Sequence, residues 1–407
     1  MTGPRAVRPF YRPMRPRSRD EPHRAATPLE LLFDLCFVVA VAQAATNLHH
    51  DVSDGHLRHA VTSYAMVFFA IWWSWMNFTW FASAYDTDDD VYRITTLVQI
   101  SGALILAAGV PRAFTDGDFT IITYGYVVMR LAAVVQWSRA AAGDPAHRAA
   151  ARRYAIGVTV VQLGWLLRLA LPDGWGMATF VVLGLADLLV PAVAERPGMT
   201  PWHPGHIGER YGLFTLIVLG EAVLAISVAI QTGVDAGNHG LWSLAAAGAV
   251  IVFALWWLYF DRPTETPDRL PYSLVWGYGH YLIFAAVAAV GAGLTVVVDD
   301  ERHLAHVSGT TAGYAVAIPI AVFLLTVWVL HVRRQQHGAV VVAYPVVAGL
   351  ALLAPLGPAR VQVLALLLVA LVALTVVLRR RDDGAAPART RPDVTTPHAK
   401  PAGADPT

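Results

Sequence analysis

Long apolar stretches joined by short polar ones dominate this chain, and they make a bilayer its natural solvent. A membrane-crossing helix needs about 20 mostly apolar residues. Such stretches are read at 29–48, 59–82, 91–110, 119–139, 152–171, 174–194, 207–231, 239–260, 274–297, 309–332, 338–354 and 359–378. Breaker residues fall between them: Pro172 with Gly174, Pro201 with Pro204, Pro263, and Pro355 with Pro358. The expected fold class is all-α, a polytopic integral membrane protein of about twelve transmembrane helices. Charged residues make up only 14% of the chain, against about 25% in a soluble domain. A net charge of +1 argues against nucleic acid as a partner. Cys36 is the single cysteine, so neither an intrachain disulfide nor a Cys-built metal site is possible.

Arginine placement sets the expected direction. With the N-terminus in the cytoplasm, 24 of the 30 Arg and Lys residues fall on the cytoplasmic side and four outside. Both termini are thus expected in the cytoplasm, with the chain in a bacterial inner membrane. The basic leader and the apolar run ending Ala40-Val41-Ala42 could be read as a signal peptide. Glu30 and Asp34 inside that run argue instead for a retained first helix. The leader (1–26) and the tail (382–407), rich in Pro, Arg and Ala, are expected to be disordered.

At an offset near 184 the halves echo each other. Ile71-Trp72-Trp73 falls on Leu255-Trp256-Trp257, each before an acidic segment, and Ala107-Ala108-Gly109 falls on the Gly291-Ala292-Gly293 region. Six spans per unit gives two parallel six-helix repeats, 27–200 and 201–381. Chance recurrence of Trp pairs and small residues is the competing reading.

Five segments carry a family resemblance: "TPLELLFDLCFVVAVAQ" (27–43), "WWSWMNFTWFASAYDTDDD" (72–90), "LAAGVPRAF" (106–114), "HPGHIGERYGLFTLIVLGEAVLAI" (203–226) and "YGHYLIF" (278–284). In these the chain resembles the bacterial low temperature requirement protein A family. The resemblance implies a multispanning membrane protein linked to growth in the cold, and it names neither substrate nor cofactor. The start of span one also looks like the first helix of six-span potassium channels with a Phe-Ser-Asp signature. Here Leu32-Phe33-Asp34 stands at that triplet, without the serine.

Charges inside spans are the functional candidates, because each costs about 2.5–3.5 kcal/mol at the bilayer centre. Asp34, Asp187 and His280 are placed about 8–12 Å from the cytoplasmic boundary, with Arg130 slightly deeper. Glu221 and Arg168 fall at about 20–25 Å, as a possible pair. Glu30, Asp34, Asp187, Glu209, Glu221 and His280 are the candidate substrate or ion pathway, with Arg130, Arg168 and Arg210 as counter-charges. A static reading stands beside each: Thr27-Pro28-Leu29-Glu30 is a capping box, Glu209 suits a helix start, and buried pairs can lock a bundle. Asp86, Asp88, Asp89 and Asp90 form an acidic cluster, read either as helix-dipole compensation or as a cation-attracting vestibule. Trp72, Trp73, Trp75 and Trp80 are read as an interface belt. No metal site, cofactor or catalytic nucleophile is expected; the ligand possibilities at His203 with His206 and in His49-His50-Asp51 are weighed as ordinary loop residues.

The leading functional expectation is a transporter of an ion or small solute. A channel in a homodimer, with spans one and seven around the pore, is the second, and a lipid-directed intramembrane enzyme using His206, His280 and Asp86 is the third. The transport reading requires that the buried acids not all be clasped by fixed partners, and that a hollow lie between the halves.

Overall fold

The computed structural model describes residues 9–18, 21, 24–172, 174–237, 239–261, 269–336 and 338–385. These form twelve long helices and, among the described residues, no strand. The first six are α1 (Pro28–Ser53), α2 (Leu57–Tyr85), α3 (Asp90–Thr115), α4 (Thr120–Gly143), α5 (Arg148–Arg168) and α6 (Gly176–Ala194). The second six are α7 (Pro204–Ala236), α8 (His239–Phe260), α9 (Leu270–Glu301), α10 (Gly309–Val327), α11 (Ala339–Leu353) and α12 (Arg360–Ala385). Each expected span lies on one of them. Beyond Val327, α10 continues through a π turn, Trp328–Val332, and a last turn, Arg333–Gln335. The joint at Arg262-Pro263, Asp173, and the tail beyond 385 lie outside the described residues.

Ten of the twelve, all but α2 and α5, are long and apolar enough to cross a membrane. The exceptions have physical causes in the sequence. Arg148, Arg152, Arg153 and Arg168 lower the hydropathy of α5, and α2 is built largely of Trp, Tyr, Phe, Ser and Asn. The expected interface belt on α2 does not form. Trp72, Trp73 and Trp75 are almost fully buried, because α2 is packed against α1, α3, α4, α7 and α9 and has little face left for an interface.

In the first six helices, α1 packs on α2 and α3, α3 on α4, α4 on α5 and α5 on α6. In the second six, α7 packs on α8 and α9, α9 on α10, α10 on α11 and α11 on α12. The halves meet where α1 and α2 touch α7 and α9. Without a hydrophobic drive between helices in lipid, close backbone approach has to supply attraction. Gly125 of α4 meets α3 so closely that an added Cβ would lie 2.5 Å from the Leu106 nitrogen. Gly291 does the same for α9 against α7, with the Ala222 nitrogen at 2.8 Å.

The described part of the leader is seated on the bundle rather than disordered. Met14 is fully buried over Gly143, where a Cβ would strike the Met14 backbone. Arg17 N donates to Ala84 O (3.0 Å), and Val91 N donates to Phe10 O (3.3 Å). Prolines at 9, 13 and 16 restrict the free segment, so less entropy is lost on docking than composition suggests. The end of the bundle carrying this segment is the leader end; the opposite one is the far end.

Candidate functional site

The densest cluster of buried charge sits at the leader end, between the first turns of α1 and α7. Thr27 caps α1, and the expected capping box is present: Glu30 N donates to Thr27 Oγ1 (3.3 Å) and Thr27 N donates to Glu30 Oε2 (2.7 Å). That uses one carboxylate oxygen. The other, Oε1, faces Arg210 NH1 at 3.1 Å, His206 Nε2 at 3.2 Å and Arg24 NH2 at 3.7 Å. One turn on, Asp34 takes a two-pronged contact from Arg210, Nε to Oδ2 at 3.0 Å and NH2 to Oδ1 at 2.6 Å. Trp75 Nε1 also donates to Oδ1, at 2.7 Å.

The local sequence explains the register. Pro28 opens α1 and Pro204 opens α7, so Glu30 and Asp34 occupy the same helical positions as His206 and Arg210. Residues four apart share a helix face, so two acids on one helix face two bases on the other. Arg24 extends the cluster toward the leader, donating to Ser83 O and to Ala82 O (2.7 Å) and lying 3.9 Å from Asp86. Three carboxylates, Glu30, Asp34 and Asp86, thus meet Arg24, Arg210 and, 3.7 Å from Asp86, Arg17, with His206 beside Glu30.

Asp86 lies just beyond the end of α2. Burial, reinforced by the negative field of Glu30 and opposed by Arg24 and Arg17, pushes its carboxyl up to about 6. A carboxyl raised above its unfolded value favours the fold below that value, and the benefit is lost as pH rises through the folded pKa. The loss spans roughly pH 4 to 6 and amounts to about 3 kcal/mol. Asp86→Asn is expected to remove that slope and raise the melting temperature at neutral pH. Thermal unfolding of both proteins across pH checks it, and a variant less stable at neutral pH would contradict it.

In place of an open acidic vestibule, the neighbouring acids are engaged. Asp89 caps α3 through Tyr92 N (2.7 Å) and accepts from Arg139 NH2 (2.5 Å) and Arg12 N (2.7 Å). Asp88 pairs with Arg93 at 2.7 Å, and Asp90 lies in the first turn of α3. Glu209 accepts from Ala26 N at 3.2 Å.

A second buried pair sits inside the first six helices. Arg130 of α4 lies 3.6 Å from Asp187 of α6 and also donates to Tyr126 Oη. Trp165 Nε1 donates to Asp187 Oδ2 at 2.8 Å and Tyr126 Oη does so at 3.3 Å. His280 of α9 is fully buried; its Nδ1 must donate to Trp276 O (2.7 Å), which leaves Nε2 to accept from Tyr259 Oη (3.2 Å). His331, in the π turn of α10, lies beside it with the rings tilted and their centroids 5.3 Å apart.

The Glu221–Arg168 pair does not form. Arg168 donates to Gly176 O (3.1 Å) and lies over the Phe119 and Phe180 rings. Among the described residues, no cation or hydrogen-bond donor reaches the half-buried Glu221. Glu221 backs onto Gly291 and lies within electrostatic reach of the Tyr64 hydroxyl.

Toward the far end, α1 and α2 diverge from α9 and α10 around a hollow of about 430 Å3. It is walled by apolar side chains, with Tyr64, Tyr281 and Tyr314 as its aromatic members. Sequence reasoning did not reach Arg24, Trp75 or His331 as parts of these clusters. No local signal marks them, since their partners lie far along the chain or depend on a π turn.

The family model described as bacterial low temperature requirement A protein matches residues 25–378. A protein of Rhizobium meliloti (strain 1021), described as uncharacterized, is 28% identical over 360 residues, which cover 80% of each chain.

Proposed function

This chain belongs to the bacterial low temperature requirement A family, a multi-pass membrane family, and from that premise we propose that it is a transporter. It would move an ion or small solute through the space between two parallel six-helix repeats, with both termini in the cytoplasm. One observation carries the reading: a hollow lies between the halves at the far end, while buried charges join them at the leader end. Such a shape is open toward one side and closed at the other. The Glu30–Asp34–Arg210 cluster is then the inner closure.

The duplication draws support from the neighbours each helix chooses, which are the same in both halves for the first-to-second, first-to-third and third-to-fourth pairs. Buried Trp72 and Trp73 against exposed Trp256 and Trp257 mark where the halves diverge. Glu221 is the candidate coupling group, because an acid without a counter-charge at membrane depth is costly unless it exchanges a proton. Asp187 and Arg130 are counter-charges that fix the first half.

A pH jump applied to proteoliposomes on a solid-supported membrane tests this. A protein-dependent transient charge displacement is expected, lost in Glu221→Gln. A response equal to that of empty liposomes overturns the transport reading, and a sustained current without coupling would make the protein a channel.

A further inference from the structure

Resting on the transport reading, we infer that the far-end hollow takes the hydrocarbon chain of a membrane amphiphile, entering sideways from the bilayer. Its wall is apolar apart from Thr311, Tyr314 and the two tyrosines at its base, and so offers little to a hydrated cargo. The two tyrosines at its base spend their hydroxyls on each other's helices: Tyr64 Oη donates to Ala285 O (2.7 Å) and Tyr281 Oη donates to Ala65 O (2.8 Å). They present only ring surface to the hollow. A solute that needs hydrogen bonds would lose those of water and regain few.

The opening faces lipid. Val61, Leu282 and Ile318, on three different helices around the hollow, are 63%, 46% and 51% exposed. Along α9 the lining runs from Tyr281 to Val296, about 22 Å at helical rise. One leaflet's hydrocarbon is about 15 Å deep, so a chain reaching in from the far-side leaflet would lie within the hollow along its length.

Cross-section selects the occupant. The whole empty space, about 1210 Å3 with its open mouth included, spread over about 22 Å gives a section of at most about 55 Å2. A helix of a second copy, at least about 10 Å across, needs about 80 Å2. A single hydrocarbon chain, one carbon contact wide at about 4–5 Å, fits. The small side chains of Ala285 and Ala289 set that width. At the far-end rim the surface turns polar, with Arg58 exposed and His49 paired to Asp299 at 2.6 Å, a level suited to a head group.

The test uses the full-length protein in vesicles of phosphatidylethanolamine and phosphatidylglycerol doped with a phosphatidylcholine carrying a diazirine in one acyl chain. After illumination, labelled peptides are expected in excess on α9 and α10 around the hollow, relative to the equally lipid-exposed outer face of α6 at Leu185 and Leu189. Ala289→Leu, or Ile318→Trp on the opposite wall should the first misfold, is expected to reduce the excess to the α6 level. Equal labelling of all lipid-facing helices, or an excess that both plugged variants retain, overturns the inference. A dithionite assay with a fluorescent phospholipid in the same vesicles separates site from transport. Protein-dependent lipid movement abolished by the plugs supports the cargo assignment, and movement unaffected by them overturns it. Groove labelling without any lipid movement leaves the chain site standing and counts against transport.

Discussion

Arg210→Met is expected to destabilise the protein by about 3–5 kcal/mol, the typical cost of stranding a buried charge. Arg210 has no solvent exposure, and its guanidinium is the one cation on both oxygens of Asp34 among the described residues while also facing one oxygen of Glu30. Methionine fills similar volume but leaves two carboxylates buried one turn apart, with His206 and Arg24 within reach of Glu30 only. Arg210→Lys is expected to recover little, because a point charge cannot span the fork that Asp34 accepts. The triple variant Glu30→Gln, Asp34→Asn, Arg210→Met is expected to recover most of the loss, since neutral replacement of a whole buried cluster is often tolerated. Thermal unfolding in detergent, followed by tryptophan emission, reads all three. A single variant as stable as the wild type would show that the cluster is not closed in solution.

Asp187→Leu is expected to cost about the same, roughly 3–5 kcal/mol, for the mirror-image reason. It strands the cation: Arg130 keeps only Tyr126, and the indole N–H of Trp165 loses its acceptor inside the bundle. Asp187→Asn keeps an acceptor for Trp165 and is expected to lose less. Because this pair lies within the first six helices, its loss is expected to lower stability without altering the response to a pH jump. Loss of that response at retained fold would place Asp187 in the transport path.

The helices were legible because their signal is local and repeated. Each apolar run and its breakers announced an element, and all twelve lie on helices. The Thr27–Glu30 box was equally legible, being a three-residue spacing with one geometric meaning. What the residues could not announce was which neighbour each buried charge would find. Arg210 was read as a counter-charge, yet its partner Asp34 lies 176 positions away, and nothing local separates that pairing from the Glu221–Arg168 pair that did not form. The α2 tryptophans misled for a related reason. An aromatic row has the same composition at a lipid interface and in a helix enclosed by five others, and only the packing distinguishes them. The leader reads as disordered because its composition is polar and proline-rich, whereas buried Met14, buried Arg24 and a few backbone bonds hold its described part in place.

The condition set by the sequence is met in part. Glu30, Asp34 and Asp187 are clasped, Glu221 is not, and the hollow between the halves exists but is apolar. The clasped acids then read as a closure and a brace, and the free acid as the exchanging group. The central claim is that the closure at the leader end opens as the far end shuts. Spin labels across the halves test it in lipid nanodiscs, one pair at the exposed leader-end positions Arg152 and Arg334 and one at the far-end positions Asp116 and His303. Double electron–electron resonance on wild type and Asp34→Asn is the measurement. The account predicts that weakening the closure adds a longer distance at the leader end and a shorter one at the far end. Unchanged single distances at both ends, in a folded variant, would contradict it and leave the charges as permanent rivets.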